Sequence, residues 1–216
     1  ESIHQTTITC ENFDGLLLKK MVIWYKQQGL KASYAGKHAR MVKQVVRWAK
    51  SEKLTKVNQL ADERVKCEKP DDPIYMKHEH FKVWLGYRFR SRQAQEAADF
   101  FSVTALTALN YGDLINVIRN PKAYIRKGID GKLWLYKERQ KTDVMARIPI
   151  EAFPELMEIV NRYGGWENLP KRANAEINRW LKVCVAEINL KFEEFDQIYE
   201  DLSVRHGRKT FCNWWI

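Results

Sequence analysis

Near the end of the sequence, Arg205, His206, Arg208 and Lys209 crowd together and run directly into Thr210 and Phe211. Guanidinium groups bind phosphate oxygens bidentately, and preorganised cations act most strongly where water is excluded. Such a cluster suits the negative charge that builds on the non-bridging oxygens of a phosphodiester under attack. A second concentration of charge lies near the start. Between Gly15 and Ser51 there are nine Lys and Arg residues (Lys19, Lys20, Lys26, Lys31, Lys37, Arg40, Lys43, Arg47 and Lys50) and no Asp or Glu. Like charges on one helix face repel, and without acids no i,i+4 pairing offsets that. The bland reading is a solvated helix face. The lack of any acid over 37 residues favours contact with a nucleic acid.

The elements that must position these groups follow from the apolar pattern. Phe13 to Gln28 reads as a helix whose Leu16, Leu17, Met21, Trp24 and Tyr25 face a core, with Gly29 suited to its end. A second helix is predicted after Ser33 as N-cap. About 100° per residue puts Met41, Val42, Val45, Val46, Trp48 and Ala49 on one side and Lys37, Arg40, Lys43, Arg47 and Lys50 on the other. Thr55 is expected to cap a short third helix through Leu60. Glu68-Lys69-Pro70-Asp71-Asp72-Pro73 then reads as an extended boundary. Beyond it, helices are predicted at Lys77–Phe89, Arg92–Leu109, Glu151–Tyr163 and Asn174–Ile188. Two strands, Lys132–Glu138 and Val144–Ile150, accompany an Asp130-Gly131 turn signal. The fold class expected is mainly α with a small antiparallel β hairpin or sheet.

Bulk properties narrow the partners. With 216 residues, 45% hydrophobic and 12% aromatic, the chain can build one large or two small cores. Its formal charge of +10 makes a polyanionic partner plausible. Cysteines 10, 67, 184 and 212 lie far apart with no Cys-x-x-Cys pair, a poor spacing for zinc and more consistent with reduced thiols. There is no apolar run of membrane-spanning length, of about 18 residues, and no secretory pattern at Glu1-Ser2-Ile3-His4-Gln5. A cytoplasmic protein is the expectation, with no metal and no membrane partner.

Arg208-Lys209-Thr210-Phe211 resembles the signature with which tyrosine recombinases of the phage integrase superfamily grip phosphate. In that signature a His stands where this chain has Arg205. Further boxes occur in the family's order. Lys31-Ala32-Ser33-Tyr34 and Val46-Arg47-Trp48-Ala49-Lys50 resemble the helical core-binding domain, a clamp across DNA. Ile74 to Phe81 resembles the opening of the catalytic domain, and Thr107-Ala108-Leu109-Asn110-Tyr111-Gly112-Asp113-Leu114 its Thr-Gly-Leu-Arg-x-x-Asp-Leu box. Glu138-Arg139-Gln140-Lys141-Thr142 resembles the hairpin of the catalytic lysine. Leu169 to Asn174 and Asn178 to Lys182 resemble the stretch before the final box. The likeness runs over about residues 13–216 and is nearest to integrases of conjugative and mobilisable transposons.

The resemblance implies a core-binding (SAM-like) domain over residues 1–68, a linker at 69–73 and a partial α+β catalytic domain over 74–216. It implies Arg208 and Arg205 as phosphate ligands and Lys141 as general acid, with neutral Asn110 at the position of the family's first arginine. DNA contacts are expected from Lys31, Ser33, Tyr34, Lys37, Arg40, Lys43, Arg47, Lys50, Arg139 and Lys209. The family's tyrosine forms a covalent phosphotyrosine that conserves the bond energy, so no cofactor is required. That tyrosine follows the final box, whereas all nine tyrosines here precede it. The expectation is therefore a C-terminally truncated recombinase that binds double-stranded DNA and is inactive alone, its full-length form acting as a tetramer. The competing readings are a non-catalytic DNA-binding protein derived from an integrase and an unrelated helical scaffold with a basic surface.

Overall fold

The computed structural model describes residues 7–65, 73–138 and 144–215, and the chain divides into two compact units, Glu1–Asp72 and Pro73–Ile216. Arg139, Lys141, Cys67 and the linker positions up to Asp72 lie outside the described residues.

The first unit is built on two helices, α1 (Gly15–Gln27) and α2 (Ala32–Ser51). Asp14 caps α1, accepting from the Leu17 amide at 2.8 Å, and Gly29, at φ +79°, supplies the left-handed turn after it. The core is Leu18, Ala39, Val46 and Leu60, with Phe13, Met21, Val22 and Val42 against it. Three expectations change here. Lys31, not Ser33, stands at the N-cap of α2, and it makes no side-chain capping bond. The buried stripe of α2 runs through Ala35, Ala39, Val46 and Ala49, so Met41 (54% exposed), Val45 and Trp48 (57%) face solvent, as do Leu16 and Trp24 of α1. The small alanines allow close approach, which turns the interface toward them and away from the bulkier residues. Residues 55–60 form no helix. Thr55 Oγ1 and Asn58 Oδ1 accept from the amides of Val57 and Leu60, holding a bonded loop that drops Leu60 into the core.

The second unit surrounds one helix, α4 (Arg92–Thr107), buried along nearly its whole circumference. Before it comes α3 (His78–Gly86), and after it α5 (Tyr111–Arg119) and the single turn α6 (Pro121–Tyr124). A three-stranded antiparallel sheet follows, ordered β1 (Ile125–Lys127), β2 (Leu133–Glu138), β3 (Met145–Pro149). Strand β1 and helix α5 were not foreseen: three residues are too short for a period-2 signal, and α5 starts inside the Thr107–Leu114 box. The chain continues into α7 (Pro154–Arg162), α8 (Asn174–Asn189) and α9 (Gly207–Trp215). Helices α7, α8 and α9 all pack on α4. Its buried acids are answered from those neighbours. Asp99 accepts from Arg162 at 2.7 Å and Tyr163 at 2.9 Å, and Glu96 from Arg172 at 2.6 Å. Burial by itself would raise the Glu96 carboxyl, but the Arg172 and Arg92 guanidiniums outweigh it and hold it below its ordinary value. Cys10, Cys184 and Cys212 are free thiols. The fold is mainly α with one small antiparallel sheet.

Candidate functional site

The Arg-Lys-Thr-Phe box forms the first turn of α9, and its placement depends on two close contacts. A Cβ on Gly207 would collide with the Thr104 side chain, so glycine lets the start of α9 lie directly on α4. Thr210, fully buried, accepts at Oγ1 from the Met76 amide at 3.0 Å, which ties α9 to the segment before α3. With Thr210 and Gly207 turned inward, Arg205, Arg208 and Lys209 line one cavity of about 740 Å³, together with Pro73, Tyr75, Cys212 and Asn213. No carboxylate pairs with these three cations among the described residues.

His206 is a residue whose job was not legible in the sequence. It points away from the cavity into the protein, 1% exposed. The Ser203 amide approaches its Nδ1 and Arg205 Nε its Nε2, each at 3.1 Å. A neutral imidazole accepts at one nitrogen only, so the two bonds alternate with the tautomer. Burial, then the charges of Arg205 and Lys209, push its pKa down to about 4. His206 is thus a neutral brace beneath the Arg205 guanidinium.

Asn110 is exposed and caps α5: its Oδ1 accepts from the Asp113 amide at 2.9 Å, and its Nδ2 donates to Asp113 Oδ2 at 2.7 Å. Those bonds leave one amide hydrogen for any other partner, and Asn110 does not line the α9 cavity. Asp113, 2% exposed, has its second oxygen 3.4 Å from the ammonium of Lys137, itself 5% exposed. Lys137 also donates to the Glu138 carbonyl at 2.7 Å and lies 5.2 Å from the Tyr124 ring centroid. Along β2 the inward positions are Leu133, Leu135 and Lys137, so a lysine occupies a core register. A charge there survives only if paired, and the pair joins the stem of the hairpin to the start of α5. That inward lysine is the signal by which the sequence could have revealed it.

In the first unit, Lys37, Arg40, Arg47 and Lys50 are exposed along α2 without acidic partners among the described residues. Lys43 departs from expectation: half-buried, it donates to the Glu63 carbonyl and serves the unit's own fold. Lys31 is exposed at the N-terminus of α2, and Ser33 is half-buried in its first turn. Tyr34 is exposed, with its ring edge-on to His38 at 4.4 Å, and Tyr25 stacks on the same imidazole at 5.0 Å.

Solved structures resemble this arrangement. A lambda integrase dimer bound to a COC′ core site superposes with a TM-score of 0.64 at 16% identity, over 95% of this chain and 58% of that one. The Tn1549 transposon integrase in complex with circular intermediate DNA gives 0.66 at 13% identity, over 95% and 73%. A lambda integrase tetramer bound to a Holliday junction gives 0.60 at 16%, over 95% and 60%. The fold is that of the integrases. It agrees with the expected fold class, mainly α with one small antiparallel sheet. The chain spans only 58% of the length of that first lambda integrase chain. No protein-family profile and no curated protein matches the sequence. Among the described residues, no helix is long and apolar enough to cross a membrane.

Proposed function

We propose that this chain is the core-binding and partial catalytic portion of a DNA-integrating tyrosine recombinase, and that it binds duplex DNA. On this reading the first unit is the core-binding domain, and the second, after a linker at 69–73, is the catalytic domain. The observation that carries the reading is the cavity where Arg205, Arg208 and Lys209 converge without a carboxylate. Unpaired guanidiniums fixed on a helix start are suited to a phosphate diester. The solved integrases of this fold are themselves DNA complexes, one a tetramer on a Holliday junction. The α2 cations would hold the duplex backbone, and in the whole protein strands would be cut and rejoined through a 3′-phosphotyrosine. Arg208 and Arg205 would bear the charge of the transition state. Lys141 would protonate the leaving oxygen, and Arg139 and Lys209 would contact the DNA backbone.

One observation favours the alternative, a DNA-binding protein without catalysis. Asn110 spends its amide on capping α5 and on Asp113, so this position adds little to a phosphate grip. Duplex binding separates both readings from an unrelated scaffold. We expect affinity for duplex DNA to fall steeply with salt as counterions are displaced. Arg40→Ala with Arg47→Ala should weaken binding across all sequences and lower the salt slope by about one per lost phosphate contact. A chain whose mobility with duplex DNA does not change at any salt concentration would sink both.

A further inference from the structure

We propose that the outer face of the β1–β2–β3 sheet is a contact surface for single-stranded nucleic acid, built from residues other than those of the α9 cavity and of α2. The register builds this face. Arg126 pairs across to Trp134, Tyr136 to Arg147 and Glu138 to Met145, while Ile125, Leu135 and Ile148 alternate onto the opposite, core-facing side. Arg126, Trp134, Tyr136, Glu138, Met145 and Arg147 thus share one surface, with Glu138 at its edge and outside the groove lining. With the β1–β2 turn they line a groove of about 540 Å³. At the tip of that turn Ile129 is fully exposed, with Lys127 and Lys132 on either side.

The groove is preorganised. The indole N–H of Trp134 donates to Asp130, at 3.0 Å from Oδ1 and 3.1 Å from Oδ2. A Cβ on Gly128 would stand 2.7 Å from the same ring, so glycine lets the turn lie against the indole. The Arg126 guanidinium lies 4.4 Å from the Tyr136 ring centroid, which holds the charge beside the aromatic surface. Asp130 is the acid lining the groove, and its carboxylate is occupied by the indole. Neither Arg126 nor Arg147 meets a carboxylate among the described residues.

Two guanidiniums facing solvent ask for an anion, and the aromatic rings between them offer flat apolar surface. Phosphates alternating with planar bases satisfy both demands at the spacing of one strand. In a duplex the base faces are stacked away, so an unpaired strand is the form that fits. This surface uses none of the residues on which the recombinase reading depends.

The full chain is titrated with a fluorescently labelled oligothymidylate and, in parallel, with a duplex of the same length. We expect Trp134→Leu, and separately Arg126→Gln with Arg147→Gln, to weaken oligothymidylate binding by about tenfold or more. The same changes should leave duplex affinity as it was, and Arg40→Ala with Arg47→Ala should do the reverse. The glutamine pair alters exposed side chains only, so it remains informative if Trp134→Leu fails to fold. The proposal is overturned if the chain ignores the oligothymidylate, if neither variant weakens it, or if both ligands lose affinity together. It is equally overturned if these variants abolish self-association rather than nucleic-acid binding, since the face would then meet protein. Loss of duplex binding in the Arg40/Arg47 variant alone would test the recombinase reading and leave this one standing.

Discussion

His206 shows how a residue beside the motif can act through another residue. Its folded pKa, about 4, lies below the ordinary 6.5, so the unfolded chain binds more protons between those values. The stability it contributes is present above pH 6.5 and is lost as pH falls through about 4. For a side chain 1% exposed this is on the order of 3 kcal/mol. Replacing His206 with Gln should flatten the stability-versus-pH curve in that window, as followed by urea unfolding at a series of pH values. A curve of unchanged slope would mean that His206 titrates normally. Gln keeps an amide oxygen that can accept from Arg205 Nε, whereas His206→Leu removes the acceptor, so a loss of duplex affinity in the leucine variant alone reports on how well Arg205 is held.

At the scale of elements, the sheet and α5 are fastened by the buried Asp113–Lys137 pair. Removing one partner of such a pair leaves a lone charge in the interior and costs about 3–5 kcal/mol, whereas removing both can be nearly neutral. Lys137→Met keeps the side-chain length and should destabilise by that amount. Adding Asp113→Asn to it should recover most of the loss in thermal unfolding, because the remaining groups are uncharged. Additive losses in the double variant would show that the two side chains do not interact. Asn110→Arg with Lys137→Met offers a second check, since a guanidinium at 110 would sit beside the same carboxylate. The elements themselves were largely readable from sequence: α4, α7, α8, β2 and β3 fall close to the predicted spans. The segment 55–60 was not, since local side-chain bonds there outcompete helical ones.

For the molecule as a whole, every tyrosine precedes the Arg208-Lys209-Thr210-Phe211 box, while one of them, Tyr75, lines the α9 cavity. On the recombinase reading none of these tyrosines is the nucleophile. These 216 residues should therefore bind nicked duplex without forming a denaturation-resistant adduct. An adduct abolished by Tyr75→Phe would move the nucleophile into this cavity and rewrite the mechanism. By itself the sequence determined the broad class, the basic character of α2 and the box that opens α9, because these are properties of periodicity, composition and adjacent residues. It could not determine that Lys43 turns to its own unit, that Met41 and Trp48 remain in solvent, or that Arg126 and Arg147 frame an aromatic groove. Those outcomes depend on which side chains arrive from distant positions to compete for the same space and the same charge. Only the packed tertiary structure decides that competition.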